Sequence, residues 1–224
     1  SSLGRFANLT GQFKNSKNSI CVGAIDRFGN LLKQSSKGPT GDGRIKPEVV
    51  AYGFSGTSES AALVSGIAGL LQGEYLKENG ELPQSSLIKA VIVNGAKAIN
   101  GALTFGHGHG RVDALDSFET ILNKRYFEGS IQDNETLTYQ ISLPEDASNL
   151  SVTICWNDIP GTPGDGPVLV NDIDIQLKGS GDTEPVLPWV LSTYASLDSL
   201  SASPRRGVDS INNTEKITLS KTSS

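Results

Sequence analysis

The sequence predicts an α/β unit with a parallel-sheet core over residues 1–126, followed by an all-β sandwich of jelly-roll type over residues 127–224. Three patterns lead there. Short apolar runs, SICVGAI (19–25) and EVVA (48–51), alternate with longer stretches of helical periodicity. The stretch FSGTSESAALVSGIAGLLQGEY (54–75) sets a small-residue turn directly against a helix. From about Phe127 the apolar period changes to two.

Taken in order, residues 1–18 are polar and turn-rich, and 19–25 reads as a short buried strand. Residues 31–34 could form a second strand and 48–51 a third, leading into the turn before Ser58. Ala61, Val64, Ile67, Ala68, Leu71 and Tyr75 then recur at helical spacing. Ser58 is thereby placed at a helix N-terminus, where unpaired N–H groups and the helix dipole favour negative charge. That setting suits a serine beside a developing oxyanion, and equally an ordinary N-cap. Ser85 or Ser86 opens a second helix carrying Leu87, Ala90, Val91, Asn94 and Ala98, to which only packing is assigned.

His107 and His109 sit in the glycine-rich turn 106–110. Two histidines in a loop with no Cys, Glu or third His close in sequence make a weak metal site, and they read as surface turn residues. In the second half, Leu137, Tyr139 and Ile141 alternate with polar residues, as do Leu150, Val152 and Ile154, and Ile173, Ile175 and Leu177. The turn cluster 157–167 separates two of these runs, and Trp156 and Trp189 are expected in or against the sandwich. Asp158, Asp172 and Asp174 are the one acidic group suited to a hard cation, although strand-end aspartates also cap turns or face water.

Composition narrows the classes further. A chain of 224 residues is long enough for one large or two modest domains, and its 37% hydrophobic content is ordinary for a globular protein. The net charge of −5 offers no basic field for nucleic acid. No apolar run is long enough for a membrane span, and no signal peptide opens the chain. Because residue 1 is Ser, the chain is read as a processed or excised piece. Cys21 and Cys155 fall in separate expected strands and are read as two buried thiols rather than a disulfide. Sequons at Asn8, Asn134, Asn149 and Asn212 carry meaning in a eukaryotic secretory host.

GTSESAALVSG (56–66), preceded by SSKGPTGDGRIKPEVVAYG (35–53), resembles the subtilisin-like serine peptidases, whose signatures run GTSxAxPxVxG and GPxxDGRxKPDVVAPG. Gly56, Thr57, Ser58, Val64 and Gly66 match the first; Gly38, Pro39, Asp42, Gly43, Arg44, Lys46, Pro47, Val49, Val50, Ala51 and Gly53 match the second. The resemblance makes Ser58 the acylating nucleophile of an endopeptidase acting on polypeptides. It casts GHGRVDALDS (108–117) as the turn and short helix that close such catalytic domains, and it implies a secreted, periplasmic or cell-surface setting. Glu59, Ser60 and Ala62 depart from the family's usual Met, Ala and Pro, and Tyr52 from another proline. The interval from Gly53 to the GTS is also short for the family.

LSVTICWNDIPG, VLVNDIDIQL and NNTEKI resemble the C-terminal sandwich of certain secreted alkaline subtilases, and with it comes an expectation of structural Ca²⁺ at Asp158, Asp172 and Asp174. The chain stops at 221–224 without the family's GxYxI-type closing strand. Subtilase triads run Asp, His, Ser, and no histidine precedes Ser58. The Asp, the His and the oxyanion-hole Asn are therefore expected upstream, in a missing N-terminal part of the catalytic domain, and the 224 residues alone are expected to be inactive. The alternative is a non-catalytic fragment or pseudoprotease whose sandwich serves as a binding or stabilising module.

Overall fold

A computed structural model describes residues 6–9, 11, 13–162, 166 and 168–220. Strand β1 (Val22–Ile25) pairs in parallel with β2 (Val49–Tyr52), Val22 opposite Val49 and Ile25 opposite Tyr52. Ala24, Ile25, Val49, Val50 and Ala51 are all buried, as expected of parallel strands covered on both faces. A parallel bridge between Val50 and Arg111 adds a third neighbour to this small sheet. The expected strand at 31–34 amounts to a single antiparallel bridge, Leu31 to Ile25, because the chain turns at once through Ser35 N–H to Leu32 O.

Helix α1 (Thr57–Asn79) buries Ser60, Val64, Ile67, Leu71 and Tyr75, one stripe at three- and four-residue spacing. Its opposite side exposes Leu63, Leu70 and Leu76. It ends at Gly80, whose φ of 78° is the left-handed conformation glycine adopts without steric cost, with its N–H on Leu76 O. Helix α2 (Ser85–Gly95) starts where expected, but Ser85 is its first helical residue and turns its hydroxyl to Asn157 rather than to its own helix. It also stops before Ala98. Lys216 Nζ donates to Val93 O, Asn94 O and Ala96 O, satisfying the end carbonyls from outside the helix. Helix α3 (Ala114–Leu122) is capped by Asp113, whose carboxylate accepts from Leu115 and Asp116 N–H. Val49, Ala51 and the inner faces of α1, α2 and α3 share one apolar core.

Beyond residue 126 the structure departs from a sandwich. Strand β3 (Asn149–Cys155) pairs antiparallel with β6 (Thr214–Ser220) over seven residues, and β4 (Trp189–Val190) with β5 (Arg205–Arg206) over two. Between the last two lies the one-turn helix α4 (Leu197–Leu200). Among the described residues these are two-stranded sheets only, and Trp189 and Arg206 of the shorter one bond Thr218 of the longer. Leu137, Tyr139 and Ile141 alternate in sequence yet lie outside any strand and are exposed. Alternation supplies a face that could be buried, and here no partner strand lies along it. Ile173, Ile175 and Leu177 form an extended segment with one bridge, Leu177 to Val186. The β3–β6 pair lies against α2: Ser151 and Thr153 hydroxyls donate to Asn94 Oδ1 at 2.8 and 3.0 Å. Part of the turn cluster 157–167 and the chain end 221–224 lie outside the described residues.

Trp156 and Trp189 are half-buried. Trp189 donates from Nε1 to Thr218 Oγ1, and the Arg206 guanidinium stacks 3.7 Å from its ring. Cys21 and Cys155 are free thiols. Burial pushes the Cys21 thiol up to about 11, so it is a protonated, apolar filler at neutral pH.

Candidate active site around Ser58

β2 runs out at Tyr52, and the chain turns through Gly53 to Gly56 into α1. Gly53 donates its N–H to Ile25 O, and a Cβ at this position would come within 2.5 Å of Gly56 O and 2.6 Å of Ser60 Oγ. Glycine is therefore a packing requirement at this turn. Ser60, where the family usually has alanine, is fully buried and donates from Oγ to Ala51 O at 3.0 Å, tying the first turn of α1 back to β2. Glu59 ties the turn from the other side. Its carboxylate accepts from Phe54 N–H, from Ser55 N–H at 3.0 Å and from Ser55 Oγ at 2.7 Å. The Ser55 backbone and hydroxyl hold this exposed carboxyl below its usual range, so it is ionised at neutral pH. Gln34 Nε2 closes the turn on Ser55 O.

Ser58 follows, exposed, as the second residue of α1. The N-cap, Gly56, makes no side-chain hydrogen bond to the first N–H groups of α1, the turn that carries Ser58. The arrangement offers an accessible hydroxyl and an oxyanion-favouring helix end on a rigid turn.

Neither histidine serves this hydroxyl as a base. His109 is buried, contrary to a surface-turn reading, and its backbone N–H donates to Glu48 O at 2.8 Å, just before β2 begins, whereas Ser58 follows its end. Four strand residues at about 3.3 Å each separate these two ends. The turn is drawn inward because Gly108, at φ 56°, lies where a Cβ would come within 2.2 Å of Pro47 O. Burial, with Lys216 adding to it, pushes the His109 imidazole down to about 3, so it is neutral. His107 is half-buried against Thr104.

Beside His109, at the base of β2, lies a buried ionic cluster. Glu48 accepts from Cys21 N–H at 2.7 Å, pairs with Lys89 at 2.9 Å and bonds Lys46. Burial pushes the Glu48 carboxyl up, and Lys89 and Lys46 more than offset it, leaving it below its usual range. The KPE triplet of the sequence motif (46–48) is thus a structural brace, with Lys46 folded back over Glu48.

The structure separates the three aspartates singled out from sequence. Asp158 is buried and saturated: it pairs with Lys17 at 2.5 Å and accepts from Val170 N–H, Asn171 N–H and Asn171 Nδ2, each at 2.9 Å. Burial alone would raise its carboxyl, and these donors hold it low. Asp172 and Asp174 instead meet Glu215 of β6. Lys17 gave no signal in the sequence. Glu215 did, as the acid of the NNTEKI segment, without an assigned role.

A family model described as the subtilase family, peptidase S8, matches residues 10–110, somewhat under half of the chain. The chain is 34% identical over 123 residues to the Arabidopsis thaliana subtilisin-like protease SBT6.1, which takes in 46% of this chain and 12% of that protein. It is 33% identical over 124 residues to the Homo sapiens membrane-bound transcription factor site-1 protease, with the same coverage. A Dictyostelium discoideum serine protease/ABC transporter, tagA, aligns over 205 residues at 25% identity, 67% of this chain and 12% of tagA. The chain thus spans about an eighth of the length of these relatives. Among solved structures, the patellamide maturation protease PatA superposes on 47% of this chain and 44% of its own at 23% identity, with a TM-score of 0.38. Residues 10–110 match the subtilase family model and hold an α/β core with the parallel pair β1–β2, and the relatives by sequence are proteases. Among the described residues no helix is long and apolar enough to cross a membrane.

Proposed function

We propose that this chain carries the nucleophile of a subtilisin-like serine endopeptidase, and that Ser58 attacks the scissile carbonyl of polypeptide substrates to form an acyl-enzyme. The observation behind this reading is the exposed Ser58 hydroxyl on the first turn of α1, directly after a parallel strand and a glycine turn, within the GTS motif. The open N–H groups of that turn would stabilise the tetrahedral oxyanion. A serine hydroxyl needs a positioned base at neutral pH, and neither His107 nor His109 is placed to be one. The histidine and its aspartate then come from residues outside these 224, and the chain by itself is inactive. In subtilisin, loss of the histidine costs roughly 10⁶ in turnover. The secreted, periplasmic or cell-surface setting implied by the sequence goes with this reading.

A second reading rests on Glu59. Its ionised carboxylate at the mouth of α1 opposes a developing negative charge near Ser58, which favours a non-catalytic member of the family. Peptide-ester hydrolysis separates the two. The expected result is a Ser58-dependent burst from the full-length gene product, none from the 224 residues alone, and none from full-length Ser58→Ala. A full-length product with no burst favours the second reading. A burst from the isolated chain overturns the external base.

A further inference from the structure

We propose that the small buried cavity between the segment 44–48 and the start of β6 binds a single halide-sized anion, chloride, which fastens the two halves of the chain together. Arg44, Lys46, Glu48, Lys89 and His109 wall it from the α/β half, and the stretch 212–214 walls it from the other. The space left inside for the centre of a water-sized sphere is about 10 Å³. That admits one guest close to water in size and leaves no room for phosphate or sulfate.

Arg44 carries the argument. The residue is 5% exposed, and its Nη1 meets no hydrogen-bond partner, although its Nε donates to Asp42 Oδ2 at 2.6 Å. A buried donor left unmatched is costly, and one on a charged guanidinium calls for an acceptor from outside the described chain. The side-chain oxygens already in the wall are committed elsewhere: Asn212 Oδ1 accepts from Ile45 N–H at 2.8 Å, and Glu48 takes Cys21 N–H and both lysines.

An anion fits this cavity better than a water because the surroundings hold more positive charge than the carboxylates answer. Asp42 answers Arg44, and Glu48 alone answers both Lys46 and Lys89. A further cation, Lys216, acts on the His109 imidazole. Its Nζ bonds only the carbonyls of Val93, Asn94 and Ala96 and pairs with no described carboxylate. Burial, with Lys97 adding to it, pushes that ammonium down to about 7, as expected of a cation short of counter-charge. The neutral His109 ring brings one more N–H to the wall. The acid beyond the wall, Asp209, gives its oxygens to Ile211 and Asn212 N–H groups, and burial pushes its carboxyl up. A monovalent anion at Arg44 Nη1 would supply the missing acceptor and lower the surplus charge together. Because the wall takes residues from both halves, the anion would hold 212–214 against the subtilase-type segment, and no step of peptide hydrolysis passes through it.

The test combines a map and a melting comparison on the whole chain. Crystals grown in sodium bromide, with data collected at the bromine absorption edge, should show an anomalous peak beside Arg44 Nη1. An ordered water there, with no anomalous signal, would overturn the proposal. Thermal melting is compared in sodium chloride and sodium gluconate at about 0.3 M each, where screening is equal. The midpoint should lie about 2–4 °C higher in chloride, because the anion binds the folded state. That difference should persist in the remote control Lys77→Gln. It should vanish in the double variant Arg44→Gln/Asp42→Asn, which removes the orphan donor without leaving Asp42 as an unpaired charge. An equal chloride effect in the wild type and in a cooperatively melting double variant would overturn the site. Should the double variant fail to fold, the bromide map decides alone.

Discussion

Glu48 and Glu215 are both glutamates with almost no exposed surface, and their surroundings are opposite. Glu48 accepts a backbone N–H and holds two lysines; Glu215 accepts one N–H and is faced by acids. The first carboxylate is fully matched within the chain. The second has no described counter-charge, and burial with the neighbouring acids pushes its carboxyl up to about 8, so it is largely protonated at neutral pH. A buried acid therefore reveals its role through its partners: Glu48 braces the base of β2, and Glu215 keeps one oxygen, Oε1, without a hydrogen-bond partner among the described residues.

The largest effect should come from breaking the complete site. Glu48→Gln strands two buried ammonium groups and should cost about 3–5 kcal/mol, read from urea denaturation midpoints at pH 7. The matching change at the incomplete site sharpens the contrast. Glu215→Gln breaks no described ion pair and should move the midpoint by less than about 1 kcal/mol, within the range of mild substitutions. Equal losses in the two variants would mean that Glu215 has a partner of its own.

His109, next to Glu48, gives a pH readout of the same region. Its folded-state value near 3 lies below the roughly 6.5 of an unfolded histidine, so between these values the unfolded chain binds more protons. His109 thus contributes stability that is present above about pH 6.5 and lost as pH falls below it. The groups acting on the imidazole are Lys216, Glu48 and Lys89. Stability measured from pH 7 to 5 should fall less steeply in His109→Gln than in the wild type. An unchanged slope would place the acid sensitivity elsewhere. A small effect belongs to the Ser58 turn: Ser60→Ala removes the hydrogen bond to Ala51 O and should cost about 1 kcal/mol in the same denaturation assay.

The α/β half was legible because its signals are local. The 3.6-residue stripe of Val64, Ile67, Leu71 and Tyr75, and the glycine turn before it, specify α1 without reference to distant chain. The end of α2 was not legible, because Lys216 supplies its capping donors from across the fold. The second half misled for a related reason. Alternation at Leu137, Tyr139 and Ile141 promises a strand, but a strand exists through its pairing partner, and pairing is not written in the period. Asp158 read as a potential ligand from its position near Asp172 and Asp174. Lys17, 141 residues away in sequence, claims it, and Glu215, on β6, takes its place beside the two aspartates. Ser58 is singled out by its motif, whereas the fastening of its turn by Glu59 and Ser60 shows only in the fold, since both residues depart from the family's pattern.

The most direct measurement is mapping the adduct of a fluorophosphonate probe by mass spectrometry on the full-length gene product, before and after heat denaturation. A native-state adduct on Ser58, absent after denaturation, is the predicted result, because an activated hydroxyl depends on a folded base and oxyanion site. An adduct on another serine, with Ser58 unmodified in the native protein, would contradict the assignment of Ser58 as nucleophile.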